Sequence, residues 1–167
     1  MTAVSAREEL ETTMTKPSVT HATYVIERTY PVSPARTFDA FSDPEKKRRW
    51  FAGYRAPAGD FEMDFRVGGR ERTRSIIDGG PHKGTVLTNE TVYQDIVPDK
   101  RIVFAYSMLL GDRRISASLV TVELIPKGDG TNLIFTDQGA YFEGADGVEM
   151  RRQGWEQLID RLEKETH

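Results

Sequence analysis

The run YVIERTYPVSPARTFDAFSDPEKKRRWF, Tyr24 to Phe51, holds a strand signal, two helix starts and an aromatic anchor in unbroken succession. Tyr24, Ile26 and Arg28 alternate with Val25, Glu27 and Thr29, the period of two expected of a strand, and Pro31 ends the run. Ser33 and Pro34 supply the N-cap and first position of a short helix, on which Phe38 and Phe41 share an apolar face. Asp43 and Pro44 restart a second helix, with Glu45 at the positive end of its dipole and basic residues later. Four consecutive cations, Lys46, Lys47, Arg48 and Arg49, then meet Trp50 and Phe51. They read as the wet surface of a helix that its aromatics anchor to a core, and not as a nucleic-acid patch.

The whole-chain charge agrees with that reading. Lys plus Arg number 23 against 26 Asp plus Glu, a formal charge of -3, which gives no long-range attraction toward phosphate backbones or anionic lipid. With no Cys, disulfides, thiolate catalysis and cysteine metal sites are excluded. His21, His82 and His167 are scattered and lack the spacing of a structural zinc site, so no metal and no cofactor is expected. The first residues have neither a signal-peptide core nor a membrane span, and a cytoplasmic location is the expectation. Residues 1–21, rich in Thr, Ser and Glu, read as a flexible N-terminal extension in which Met14 is an alternative initiator; residues 22–167 read as one domain.

Working outward, Phe61, Met63, Phe65 and Val67 alternate through FEMDFRV before Gly68-Gly69, which supplies a turn or a close backbone approach. TVLTNETVYQDI, RIVFAYSM, ISASLVTVELI and TNLIFTDQG follow as strands, separated by VPDK, LLGD and PKGDG. In DGVEMRRQGWEQLIDRLEKE, Asp146 and Glu149 have capping-box spacing, and Trp155, Leu158, Ile159 and Leu162 repeat on one helical face. Gly154 lowers helix propensity but lets the backbone approach a neighbour or a ligand, packing being the simpler reason. The sum is an α+β architecture, a curved antiparallel meander with flanking helices.

Chemistry is sparser. If the stretch from Arg70 is extended, Arg70, Arg72 and Arg74 share one face and Glu71, Thr73 and Ser75 the other. Either the arginines face solvent in cross-strand ion pairs, or one of them enters an apolar cavity and fixes an anionic or carbonyl-bearing ligand. Tyr93, Phe104, Tyr106, Phe135, Tyr141 and Phe142, with Met150 and Trp155 from the last helix, are candidates for a groove lining, core packing being the alternative for each. Asp137, Gln138, Glu143 and Asp146 are candidate polar features at its mouth, but no nucleophile, base and orienting group come together, so no catalytic residue is assigned.

In their order along the chain, Tyr24 to Phe51, FRVGGRER, IVPDKRIVFAY, SLVTVELIPKGDGTNLIFTDQG and GWEQLIDRLEKE resemble the START-like, or SRPBCC, superfamily. The branch resembled is that of the activator of the ninety-kilodalton heat-shock chaperone ATPase, over roughly residues 22 to 165. The resemblance implies a helix-grip fold, in which the sheet wraps a long C-terminal helix and two small helices follow the first strand. It also implies a cavity between sheet and helix that holds small hydrophobic or amphipathic ligands. Trp50 and Phe51 would support the fold, Gly68 and Gly69 make the turn into the next strand, and Gly154 and Trp155 start the packed helix seam. A non-enzymatic carrier or sensor is the leading expectation. An enzyme acting on an aromatic or lipid-like substrate, and a protein-interaction or chaperone-cofactor module using the Lys46 to Arg49 face, are the alternatives; a homodimer fits the architecture, and no membrane partner is expected.

Overall fold

The computed structural model describes residues 16–53 and 60–167. Met14 and most of the expected extension lie outside the described residues, whereas residues 19–21 already belong to the first strand, β1 (Val19–Tyr30). Six strands follow it: β2 (Phe61–Met63), β3 (Arg70–Ile76), β4 (Val86–Val97), β5 (Arg101–Leu110), β6 (Arg113–Lys127) and β7 (Gly130–Phe142). They form one antiparallel sheet in the order β1-β7-β6-β5-β4-β3-β2, so the first two strands in sequence occupy opposite edges. The chain between them must therefore cross the sheet, and it does so as α1 (Pro34–Ser42), α2 (Pro44–Lys47) and a π-turn at Arg48–Ala52. The long helix α3 (Val148–Leu162) lies against the same concave face and ends in a short 3-10 turn, Glu163–Glu165. This is the helix-grip arrangement.

The local signals account for the helix starts. The Ser33 hydroxyl accepts from the Arg36 N–H at 3.3 Å, and the Asp43 carboxylate accepts from the Glu45 and Lys46 N–H groups at 2.8 and 3.2 Å. Helix α3 departs from expectation: its N-cap is Gly147, at φ +88°, which has no side chain to cap with, and the Asp146 carboxylate pairs with Arg151 rather than capping the helix. The FEMDFRV alternation also stops early, with β2 ending at Met63. There the chain bends around Gly68 (φ +80°) and Gly69, where a Cβ would come within 2.0 Å of the Asp64 carbonyl oxygen.

The basic run departs furthest from its sequence reading. Lys47 is not on the wet surface: it is 3% exposed, with its ammonium 3.5 Å from the Glu71 carboxylate. Its ammonium also lies 4.9 Å from the ring centres of Trp50 and of Phe51, 5.6 Å from Phe41 and 5.7 Å from Phe104. Desolvation pushes the Lys47 pKa down, against the opposing pull of Glu71. Lys47, Trp50 and the half-buried Phe51 stand at i, i+3 and i+4, the spacing of a single helical face, and all three point inward. Lys46 pairs with Asp39 and Arg49 with Glu165, while Arg48 is exposed with no ion pair among the described residues.

Candidate functional site

Between α3 and the β3–β5 side of the sheet lies a groove of about 270 Å³. The helix contributes Met150, Gly154, Leu158 and Arg161, residues that recur every three to four positions and so share one side of α3. From Met150 to Arg161 this wall runs roughly 16 Å. Phe51 and Ala52 of the π-turn close one flank, and Thr73, Ser75, Leu87, Asn89, Tyr106 and Met108 form the sheet wall. The sheet residues come from neighbouring strands in direct register, Thr73 opposite Asn89 and Asn89 opposite Met108, so their side chains stand on one face as a row. Most of the lining surface is apolar, and Thr73, Ser75, Asn89, Asp146, Arg151, Gln157 and Arg161 add polar groups around it.

One end of the groove is closed by a hydrogen-bonded cluster centred on the Tyr106 hydroxyl. It donates to the Asp137 carboxyl at 2.8 Å and accepts from the Trp155 indole N–H at 3.0 Å and from Arg151 Nη1 at 3.3 Å. Tyr24 donates to the same Asp137 oxygen at 2.9 Å. Arg151 Nη1 also donates to Ser116 Oγ at 2.9 Å, while its Nε and Nη2 hold Asp146 bidentately at 3.0 and 2.7 Å. Burial raises the Asp137 pKa, and the hydroxyl donors and Arg151 pull the other way. Burial likewise pushes Tyr141, whose ring lies 5.2 Å below the Arg151 guanidinium, up to about 12.

Of the residues singled out from sequence, Tyr106, Met150 and Trp155 line the groove. Tyr93, Phe104 and Phe135 back its wall from within the core: Phe135 and Phe104 sit 4.7 and 6.2 Å from Trp155, and the Tyr93 hydroxyl donates to Glu71. Arg70, Arg72 and Arg74 are a correction. All three face solvent, Arg72 lying 3.6 Å from Glu62, and it is Glu71 and Thr73 that point inward. Glu71 fixes this parity, because a one-residue slip of β3 would break its buried contacts with Lys47 and Tyr93 and turn three guanidinium groups into the core. Gln138 is exposed, and Glu143 accepts from the Ser18 N–H at 3.0 Å rather than from a group in the groove.

Sequence reasoning missed Arg151, Thr73 and Asn89. Arg151 had a readable signal: it precedes Trp155 by four residues, on the stripe that continues through Ile159 and Leu162, and all four are buried. Gly154 is a second correction. A Cβ there would meet nothing within 4 Å, so the helix does not need this glycine for packing. Among the described residues there is no cluster of three or more His, Asp or Glu that could hold a metal ion, and no helix long and apolar enough to cross a membrane.

The fold and the groove together define a helix-grip protein with a cavity between helix and sheet. Residues 31–166 match the family described as activator of Hsp90 ATPase homolog 1-like protein, and the chain belongs to that family. Among solved structures, the Mll3558 protein from Rhizobium loti is 48% identical, with 89% of this chain and 99% of that one covered and a TM-score of 0.80. An uncharacterized protein from Rhizobium leguminosarum is 42% identical, covering 91% and 98% at a TM-score of 0.83. Protein CV1439 from Chromobacterium violaceum shares the fold at 24% identity and a TM-score of 0.64, over 85% of this chain and 94% of that one. No curated protein matches the chain.

Proposed function

We propose that this protein binds a small, mainly apolar ligand in the groove between α3 and the sheet and acts as a non-enzymatic carrier or sensor. The observation that carries the reading is the groove itself, about 270 Å³ of mostly apolar wall, with a polar cluster at one end, a polar row on the sheet, and Gln157 and Arg161 on the helix side. The titratable groups nearby favour binding over catalysis. Asp146 is held bidentately by Arg151, and Asp137 is fully buried behind two tyrosine hydroxyls, so neither carboxyl is presented to an occupant as a base.

Native mass spectrometry of freshly purified protein, followed by denaturing extraction, tests this. A reproducible bound species, with saturable thermal stabilisation when it is added back, is the expected result. Consistently unliganded protein that no lipid or aromatic compound stabilises would overturn the reading in favour of a protein-interaction role.

A further inference from the structure

Two features of the groove lack an explanation from folding alone, and they face each other across it. The first is Gly154. A glycine at an exposed position inside a helix weakens it, and here no neighbour requires the missing side chain, since a Cβ would stand in open space. Its only structural consequence is a notch in the helix wall between Met150 and Leu158, four residues to either side.

The second is the polar pair on the sheet wall. Thr73 is 8% exposed, and among the described residues its hydroxyl has no hydrogen-bond partner, a condition that costs free energy in a folded protein. Threonine exchanges its hydroxyl and methyl by a χ1 rotation, which brings the hydroxyl to the groove without moving the strand. Directly opposite in register, Asn89 directs its amide N–H to the Met108 sulfur at 3.2 Å, a weak acceptor that a better one displaces. The charged groups are differently placed: Arg161, which has no ion pair among the described residues, stands at the far end of the helix wall, roughly 10 Å along α3 from Gly154. Arg151 is neutralised by Asp146 and further bonded to Ser116 and Tyr106, so an anion entering beside it would lose its hydration without gaining an unpaired cation.

From this we infer that the groove selects an uncharged, largely apolar molecule bearing a hydroxyl or carbonyl group, its body in the notch at Gly154 and its polar group bonded by Thr73 and Asn89. The inference rests on the reading of the groove as a ligand site, and adds the chemical class of the ligand and the contacts that read it.

The test is equilibrium binding of naphthalene, 2-naphthol and 2-naphthoate to the wild type and to Thr73→Val and Gly154→Ala. In the wild type, 2-naphthol is expected to bind roughly tenfold more tightly than either of the others, about the worth of one buried hydrogen bond. Thr73→Val keeps the shape of the side chain and is expected to abolish the advantage of 2-naphthol over naphthalene while leaving naphthalene unchanged. Gly154→Ala is expected to raise Tm, because alanine favours the helix and clashes with nothing, and yet to weaken 2-naphthol several-fold. Tightest binding of 2-naphthoate would mean that Arg161 or Arg151 reads an anion; the selection for uncharged ligands would fall while the groove stayed a ligand site. Equal binding of all three, unaffected by either substitution, would remove the anchor and the notch. Failure of all three to bind would overturn the ligand site and this inference together.

Discussion

Helix α3 presents two very different stripes. Arg151, Trp155, Ile159 and Leu162 are buried, with Trp155 packed against Phe51, Phe104, Tyr106 and Phe135 at ring distances of 4.7 to 6.2 Å. Met150, Gly154, Leu158 and Arg161, on the adjacent side, form the groove's helix wall, which Arg151 and Trp155 only border from the packed stripe, and Met150 is 64% exposed. The first stripe is dense with interlocking rings and satisfied hydrogen bonds; the second leaves open space beside a glycine. One helix thus separates the task of holding the fold from that of leaving room, and substitutions on the two stripes should differ in the size and even the sign of their effects.

The largest effect belongs to the packed stripe. Trp155→Ala removes four aromatic contacts and is expected to destabilise the fold by about 3–5 kcal/mol, measured by denaturant unfolding. Tyr106→Phe preserves the ring but strips the hydroxyl that joins Trp155, Arg151 and Asp137, and a loss of about 1–3 kcal/mol is expected. A value near zero would show that the cluster does not close the groove end as a unit.

A pH experiment examines the same cluster without changing its shape. Burial raises the Asp137 pKa in the folded protein above its ordinary value of 3.8. Its contribution to stability is therefore present below that value and is lost as pH rises through the folded pKa. Asp137→Asn cannot ionise, so its Tm relative to wild type should climb as pH rises from about 4. A difference that is flat with pH would mean that the carboxyl ionises freely in its buried site.

On the groove stripe the effects are small. Gly154→Ala is expected to stabilise the helix by about 0.5–1 kcal/mol, and a loss of stability would mean that the notch is already packed. Met150→Ala should fall within about 0.5 kcal/mol of wild type in thermal unfolding.

How much of this was legible in the sequence depended on whether the deciding contact was local. The strand periodicities, the Ser33 and Asp43 caps and the apolar stripe of α3 are short-range signals, and the fold follows from them. The facing of β3 is not local: Arg70, Arg72 and Arg74 alternate with Glu71, Thr73 and Ser75 equally well in either parity. The choice is made by Glu71 meeting Lys47 and Tyr93, residues 24 and 22 positions away in the chain. Lys47 was hidden for a related reason: it shares the helical face of Trp50 and Phe51, but its buried partner Glu71 is distant in the chain, and a lysine caged by four rings reads in sequence as one more surface cation. The groove itself is defined partly by what Gly154 lacks, which composition and spacing do not register.

A titration of isotopically labelled protein with 2-naphthol, followed by amide chemical-shift changes, addresses the division between the two stripes of α3. Saturable shifts concentrated at Gly154 and its α3 neighbours and at Thr73 and Asn89 across the groove are the expected result. Shifts confined to the outer face of the sheet, or no saturable change at all, would contradict the groove as the place where this protein meets its ligand.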